Sequence, residues 1–278
     1  MVTTKKDNRE VVAVFDGSFD GFLCVVYAFY YDKITPIIIQ SEDQVQLMLG
    51  GEEYRVDTCS TQAARVFKGI RDNISEDAAT RTYYAFLSGE DNKYMEIFRY
   101  IQRGFVLGHM IDSHLQEDCV RRVHKLAAHV GREAHLLFGF CRFAETSNKV
   151  NPSQLEDADF KLLAYASGVL YCAVTPKNDV LPLLANHFSE RFMNQSWVIH
   201  DKRRHQAAIY DGKTYVISSV PQDVDVNYAE NELETQELWR TFFKALAIEA
   251  RKNPKVQRQL LPLYFRKNMT EFALPNKL

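Results

Sequence analysis

The pattern of apolar and polar residues predicts a strand–helix–strand unit at the start of the chain. Val11–Phe15 is an apolar run rich in β-branched residues, which is typical of a buried strand. A short turn then precedes the apolar stretch Phe19–Tyr30, which we predict to be a helix. Ile34–Gln40 indicates a second strand. Because a helix joins these two strands, we expect them to be parallel with a right-handed crossover.

Helical spacing dominates the next hundred residues. Apolar side chains recur every three or four positions, and they predict amphipathic helices over Thr61–Ile74, Ala78–Leu87, Lys93–Leu107 and Glu117–Val130. Gly89, Gly108 and Gly131 lie near the ends of these stretches, where glycine commonly terminates a helix.

From Glu133 onward the period changes to one typical of strands. Short runs rich in aromatic and aliphatic residues predict strands over Ala134–Phe143, Leu170–Val174, Trp197–His200, Gln206–Tyr210 and Thr214–Ser218. Asp211-Gly212 predicts a hairpin between the last two strands. Val180–Phe192 predicts a helix, with Pro182 in the first turn, where proline is tolerated.

These elements predict an α+β fold. Its N-terminal part is an α/β-like strand–helix–strand, its middle is helical, and its C-terminal half is a mostly antiparallel sheet with helices. No Pro/Gly/Ser-rich linker interrupts the chain, so we expect one compact domain over residues 1–278, with a candidate sub-division near Thr146–Leu155.

Charge separates sharply toward the C-terminus. Gln222–Glu237 carries six acidic and no basic residues, whereas Trp239–Lys267 carries eight basic residues and one glutamate. We expect residues 239–272 to be a basic helical segment. Overall, 278 residues with a formal charge of -2 exclude a globally basic nucleic-acid coat, so any anion-binding surface must come from local segregation of charge.

Composition predicts a cytoplasmic protein without a membrane partner. No stretch approaches the roughly 18 apolar residues of a membrane span, and the start of the chain lacks the apolar core of a signal peptide. The five cysteines are scattered and form no CxxC pair. We therefore expect reduced thiols, no metal site, no iron–sulfur cluster and no bound cofactor.

The turn Asp16-Gly17-Ser18 is the first candidate for chemistry. The chain has no GxxxxGK[ST], GxGxxG, HExxH or GxSxG motif. A strand end that leads into a helix N-terminus nevertheless gathers free backbone N–H groups, which suit a phosphate at Ser18. Asp16 would then lie at the mouth of the crevice. The alternative is a simple helix cap and tight turn.

Glu133 and His135 form a second candidate, and Arg142 nearby is a predicted phosphate ligand. On the predicted strand, Glu133, His135 and Leu137 would face one side because strand side chains alternate. A carboxylate beside an imidazole can orient it as a general base or a ligand. The alternative is a salt-bridge ladder on a strand edge.

A third candidate combines the predicted helix Val180–Phe192 with the connection after Trp197–His200. His187 and Arg191 share a helix face, and Asp201, Arg203 and Arg204 follow in the chain. Convergent arginine and histidine side chains suit phosphate recognition, and Asp201 would add acid–base capacity. We expect Glu133 or His135 to approach His187 or Arg191 at a shared cleft. The alternative is a solvated charge cluster.

The basic C-terminal segment is the fourth candidate. Its predicted phosphate ligands are Arg251, Lys252, Lys255 and Arg258. Aromatic residues for base stacking lie nearby, namely Trp239, Phe242, Phe243, Tyr264 and Phe265. We expect the apolar helix side that includes Trp239 and Phe242 to pack on the body of the protein, and Asn253-Pro254 to break the helix. The alternative is a solvated basic face.

Several segments together resemble one known family. They are FDGSFDGFLCVVYAFY, YAFLSG, REAHLLFGFCRFAE, TPKNDVLPLLANHFSERFMNQSWVIHDKRRHQAAIYDG and LWRTFFKALAIEARKNPKVQRQLLPLYFRKNMTEF. This combination is similar to the bacterial "probable DNA metabolism protein" family, whose core is domain of unknown function 4130. The family resemblance implies a companion of a radical-SAM protein of DNA modification or repair, and association with uracil-DNA glycosylase-like domains. It supplies no catalytic residues.

Three functions stay open at this stage. The first is an accessory protein of DNA repair or modification that binds nucleic acid or the radical-SAM partner. The second is an enzyme that acts on nucleic acid or a nucleotide, with Glu133/His135 or His187/Asp201 for acid–base chemistry. The third is a protein–protein adaptor without DNA contact. The missing catalytic motifs favour the first and third functions.

Overall fold

The computed structural model describes residues 9–44, 52–147, 168–222, 224, 226 and 228–272. The chain divides into two compact units, Met1–Gly131 and Arg132–Leu278. This division lies upstream of the expected sub-division near Thr146–Leu155, most of which falls outside the described residues.

A parallel sheet forms the centre of the unit Met1–Gly131. Strands β1 (Arg9–Phe15), β2 (Ile34–Ser41) and β3 (Glu53–Arg55) lie in the order β2-β1-β3, and β1 is parallel to both neighbours. Helix α1 (Phe19–Tyr31) joins β1 to β2, as predicted. Residues 11–15 of β1 are all buried, because a central parallel strand is covered on both faces.

The remaining helices of this unit follow the predicted periodicity. They are α2 (Ser60–Asn73), α3 (Glu76–Phe86), α4 (Lys93–Leu107) and the first part of α5 (Asp118–Phe140), with short 3-10 turns at Glu42–Gln44 and Gly108–Ser113. Gly108 caps α4 with a φ of 58°. That confirms one predicted glycine terminator, since this φ lies in the left-handed region that glycine adopts readily.

Helix α5 corrects two sequence predictions. It continues past Gly131 to Phe140, so Gly131 does not end a helix and Ala134–Phe140 is not a strand. Buried Val123, Val130, Ala134 and Leu137 continue one helical stripe at spacings of three, four and seven residues. The stripe therefore outweighs the strand-like alternation of aromatic residues after Glu133.

The unit Arg132–Leu278 contains the second sheet. Strands β4 (Ala144–Glu145), β5 (Leu170–Val174), β6 (Trp197–Asp201), β7 (Gln206–Tyr210) and β8 (Tyr215–Ser219) follow one another in that order. All neighbours are antiparallel except β5 and β6, which are parallel. Helix α6 (Leu181–Arg191) packs against β6 and β7, with Pro182 in its first turn as predicted. The observed fold is α+β.

The C-terminal part of this unit is helical. It comprises α7 (Glu232–Ala245), a 3-10 turn at Glu249–Arg251, α8 (Pro254–Leu260) and α9 (Leu263–Arg266). Asn253 caps α8 by accepting a 3.2 Å hydrogen bond from the backbone N–H of Val256, so the predicted break at Asn253-Pro254 is confirmed. Helix α7 fully buries none of its residues. Of the apolar side predicted to pack on the body, Trp239 contacts Arg142 and Phe243 contacts Phe272. The rest of that side, Phe242, Leu246 and Ile248, is more than half exposed, so the prediction is correct only in part. Among the described helices, none is both long and apolar enough to cross a bilayer.

Candidate functional site

The parallel pair β5–β6 positions a polar cluster in the unit Arg132–Leu278. Because the strands are parallel, their carboxyl ends lie at the same edge of the sheet. Residues 175–178 follow β5, and residues 202–204 follow β6. We call these residues the β5–β6 edge, together with Glu133 from α5, Asp201 at the end of β6 and Tyr264 from α9.

Glu133 joins three segments at this edge. Its carboxylate accepts hydrogen bonds from the backbone N–H of Lys177 at 2.9 Å and of Asn178 at 2.8 Å. It also accepts one from Asn178 Nδ2 at 2.6 Å and one from the Tyr264 hydroxyl at 3.0 Å. Glu133 is 5% exposed, so these donors replace the water it has lost. The arrangement anchors the connection after β5 and leaves the carboxylate little capacity to accept a substrate proton.

The Tyr264 hydroxyl is a stable donor in this cluster. Burial raises the pKa of Tyr264, and the charge of Glu133 and its hydrogen bond raise it further. The charge of Arg203 acts in the opposite direction but does not reverse the shift in the pKa. Tyr264 therefore remains protonated at neutral pH and donates to Glu133.

Asp201 performs the same anchoring for the connection after β6. It is fully buried and accepts hydrogen bonds from the backbone N–H of Arg203 at 2.9 Å and of Arg204 at 3.3 Å. Arg204 pairs with the same carboxylate at 2.9 Å and donates to the carbonyl oxygens of Pro176 at 3.3 Å and Lys177 at 2.7 Å. Asp201 and Arg204 thus hold the two connections together, and Arg204 is occupied by protein acceptors.

Two cations at the edge remain exposed. The Lys177 ammonium lies 5.2 Å from the ring centroid of Tyr264, and Arg203 is exposed one residue before Arg204. A cation beside an aromatic ring suits an anion that carries a planar group, such as a nucleotide. The sequence predicts Glu133, Asp201, Arg203 and Arg204 as site residues, but it predicts neither Lys177 nor the contact of Tyr264 with Glu133. The sequence does place Lys177 just after β5. That position indicates a site residue only once β5 and β6 are known to be parallel, because their carboxyl ends then lie at the same edge.

His135 and His187 meet at one aromatic ring. The ring of Phe138 stacks on His187 with centroids 4.1 Å apart, and it lies edge-on to His135 at 6.4 Å. Burial lowers the pKa of His187, and the charge of Arg191 lowers it further. His187 Nε2 has no hydrogen-bond partner in the described part of the chain. His187 is therefore a neutral ring in an aromatic cluster, and Arg191 is exposed at the end of α6.

The predicted common face of Glu133 and His135 is wrong because both residues lie on α5. On a helix, residues four apart share a face and residues two apart do not, so Glu133 is aligned with Leu137 and not with His135. Arg142 is also separate from Glu133. It forms two hydrogen bonds with Glu271, at 2.7 and 3.2 Å, and its guanidinium carbon lies 5.4 Å from the ring centroid of Trp239.

The C-terminal helices expose a surface that combines apolar and cationic side chains. We call it the C-terminal surface and define it by Leu238, Trp239, Phe242, Phe243, Leu246, Ile248, Arg251, Lys252, Lys255 and Arg258, all of which are exposed. Lys252 lies 3.7 Å from Glu249, and both side chains are at least 69% exposed. Such a pair contributes little stability, so Lys252 can exchange Glu249 for another anion.

Comparison with known protein families assigns the chain to one family. The profile described as "Domain of unknown function (DUF4130)" matches residues 91–271, about two thirds of the chain. The chain belongs to the DUF4130 family. No curated protein and no solved structure matches it. The DUF4130 match includes the whole β5–β6 edge and the C-terminal surface.

The predicted phosphate site at Asp16 and Ser18 precedes the DUF4130 match. Asp16 accepts hydrogen bonds from the Ser18 N–H at 2.9 Å, the Ser18 hydroxyl at 2.7 Å and the Thr58 hydroxyl at 2.8 Å. Burial alone would raise the pKa of Asp16, but these hydrogen bonds lower it overall. The Ser18 hydroxyl oxygen accepts from the Gly21 N–H at 2.9 Å and caps α1. The geometry is that of a helix cap and tight turn.

Metal-ligating side chains do not converge in the described ranges. Among these residues, no three histidine, cysteine, aspartate or glutamate side chains are grouped so that they could hold a metal ion. All five cysteines are free thiols, and Cys24 and Cys172 are buried.

Proposed function

We propose that the protein is an accessory protein of DNA metabolism that binds nucleic acid through the C-terminal surface, in a repair or modification system with a radical-SAM partner. The observation that carries the proposal is the exposure of aromatic side chains on α7 beside the cations at 251–258. The resemblance of the sequence to the "probable DNA metabolism protein" family supports the choice of DNA as the nucleic acid.

The exposed aromatic residues support stacking on bases. Phe242 is 54% exposed, and its ring centroid lies 5.9 Å from that of Trp239. Trp239 is itself positioned, because its indole N–H donates to Glu271 at 3.2 Å and Arg142 lies against its ring. Aromatic rings held in this way suit unpaired bases, which stack on them without sequence preference.

The cations support contacts with phosphate groups. Arg251, Lys252, Lys255 and Arg258 lie around the break between the 3-10 turn and α8, and all are exposed. Lysine and arginine side chains that neutralise phosphates bind all sequences and lose affinity as salt rises. Stacking and phosphate contacts together favour single-stranded DNA over duplex.

The burial and hydrogen bonding of the two strongest acid–base candidates favour a binding function over a catalytic one. Glu133 and Asp201 are buried, and each accepts two backbone N–H hydrogen bonds in addition to side-chain partners. A general base must present a free lone pair to its substrate. These carboxylates instead shape the connections that carry Lys177 and Arg203.

One observation favours a second function, docking of the partner enzyme. Leu238, Phe242 and Leu246 recur every four residues and are 70%, 54% and 64% exposed, so they form an apolar stripe along α7. Exposed apolar patches mark protein interaction sites. The same helix would then carry the adaptor function without DNA contact.

Binding of labelled single-stranded and duplex DNA, measured by fluorescence anisotropy, tests the proposal. Phe242→Ala should weaken binding to single strands about tenfold, because one stacked base contributes about 1–3 kcal/mol. Val106→Ala is the matched control, since Val106 is 73% exposed on α4. Absence of DNA binding, with partner capture lost in Phe242→Ala, would establish the adaptor function instead.

A further inference from the structure

A groove in the unit Met1–Gly131 is lined by aromatic and charged side chains that the proposed function does not involve. It lies between α1 and α2, has a volume of about 400 Å³, and is also lined by Phe105 of α4. Pockets for small organic ligands begin at about 300 Å³. Its other walls include Tyr30, Tyr31, Arg65, Lys68 and Asp72. The groove is therefore large enough for one small ligand.

Aromatic rings form one wall of this groove. The ring centroids of Tyr30 and Phe105 lie 5.5 Å apart in an edge-to-face arrangement, and Tyr31 stacks on Tyr27 at 4.2 Å. These contacts fix the rings in place before any ligand arrives. A wall of positioned aromatic rings favours a planar, unsaturated ligand group.

Helix α2 forms the opposite wall, on which positive and negative side chains lie at different ends. Arg65, Lys68 and Asp72 are spaced by three and four residues and share one helix face. All three are exposed, and the Arg65 guanidinium carbon lies 4.8 Å from the ring centroid of Tyr31. Since a helix rises 1.5 Å per residue, the cations at 65 and 68 and the carboxylate at 72 span about 10 Å. One end of the groove is thus cationic and the other acidic.

We propose that this groove binds a nucleotide. The base would lie against Tyr30 and Phe105, and the phosphate would bind Arg65 and Lys68. Asp72 repels a phosphate at its own end and accepts hydrogen bonds from sugar hydroxyls or base amino groups, which fixes the ligand's direction. The nucleotide is either free or the terminal residue of a strand. This site shares no residue with the C-terminal surface, so it stands independently of the proposed function.

Substitutions at Gly69 test the proposal. It lines the groove between the two charged ends, and a Cβ there would make an ordinary contact with Phe105 Cζ at 3.7 Å. Gly69→Ala should therefore fold and retain the groove. Gly69→Met should also fold, because the helix face is open, but its longer side chain would occupy the ligand's place.

Isothermal titration calorimetry on the full chain tests the site. The probes are AMP, adenosine, inorganic phosphate and a 5′-phosphorylated trinucleotide. We expect saturable binding of AMP, the trinucleotide or both, and about tenfold or greater loss of affinity in Lys68→Gln and Gly69→Met. Adenosine and phosphate alone should bind more weakly, because each uses only one end of the groove.

The controls separate a site from general charge attraction. Lys125→Gln removes an exposed cation from α5, and Gly69→Ala retains the groove, so both should bind like the unaltered protein. Binding of AMP identifies a free nucleotide as the ligand. Binding of the trinucleotide alone identifies a strand end if Lys68→Gln weakens it, whereas trinucleotide binding that Lys68→Gln leaves unchanged occurs elsewhere on the chain and overturns the proposal. Failure of both probes to bind, or equal weakening by Lys68→Gln and Lys125→Gln, would overturn the proposal.

Discussion

The hydroxyl of Tyr264 donates a 3.0 Å hydrogen bond to the carboxylate of Glu133, a residue 131 positions earlier in the chain. The same carboxylate holds the backbone of Lys177 and Asn178. One buried side chain therefore joins α5, the connection after β5, and α9. The exposed cation of Lys177 is placed by this contact, which gives Glu133 a positioning role.

Glu133→Gln should destabilise the unit Arg132–Leu278 by about 2 kcal/mol, because the amide replaces one acceptor oxygen with a donor that faces N–H groups. Tyr264→Phe should cost about 1 kcal/mol, since it removes one hydrogen bond and leaves three. Urea denaturation of the full chain measures both. An unchanged midpoint in Glu133→Gln would show that the carboxylate is not an anchor.

Arg142→Met should destabilise the fold by about 3 kcal/mol without changing the salt dependence of DNA binding. The side chain of Glu271 is 2% exposed and would lose its charged partner, although its contact with Trp239 would remain. Arg142 was a predicted phosphate ligand, and this variant separates that role from the structural one. A flatter salt slope with unchanged stability would restore the phosphate role.

The Arg142–Glu271 pair also predicts a pH dependence. Burial alone raises the pKa of Glu271, but hydrogen bonds from Arg142 and Trp239 outweigh it and lower the pKa overall. The pair's stabilisation should therefore be complete above the ordinary glutamate pKa of about 4.3 and be lost as the pH falls below it. The melting temperatures of the unaltered protein and of Arg142→Met should therefore converge at acidic pH. A difference in melting temperature that stays constant below about pH 4.3 would contradict this.

Gly21→Ala should destabilise the unit Met1–Gly131 by about 2 kcal/mol. A Cβ at this position would overlap the Asp16 carboxylate and approach Thr58 Oγ1 to 2.8 Å, so the turn that caps α1 would have to move. Gly139→Ala is the matched control, because a Cβ there has no atom within 4 Å and alanine favours a helix. Equal stability of the two variants would show that the Asp16 turn is not tightly packed.

Local signals made much of this fold predictable from the sequence. The apolar run Val11–Phe15 and Pro182 in the first turn of α6 each act over a few residues, and both are found as expected. The Asp211-Gly212 turn also joins two antiparallel strands. These elements depend on backbone preferences and burial within one segment, which a sequence displays directly.

The site depended on pairings that a single segment does not reveal. The aromatic-rich run after Glu133 made the end of α5 resemble a strand, although the buried stripe of this helix continues through Leu137. The convergence of Lys177 and Arg203 follows from the parallel alignment of β5 and β6, which no local pattern specifies. Likewise, the periodicity of α7 correctly predicted an amphipathic helix, but it contained no information on whether Phe242 is buried or exposed.

The salt dependence of DNA binding shows whether the cations of the C-terminal surface contact phosphate groups. In the triple variant Lys252→Gln, Lys255→Gln and Arg258→Gln, affinity for all sequences should fall about equally. The slope of log affinity against log salt should flatten by roughly three units on duplex DNA, because each lost phosphate contact removes close to one.

Arg121→Gln, Arg122→Gln and Lys125→Gln form the control, a charge-matched triple variant on the exposed side of α5. We predict that the control keeps the slope of the unaltered protein, whereas the C-terminal triple variant flattens it. An unchanged slope in the C-terminal triple variant, or an equal change in both variants, would contradict nucleic-acid binding by the C-terminal surface.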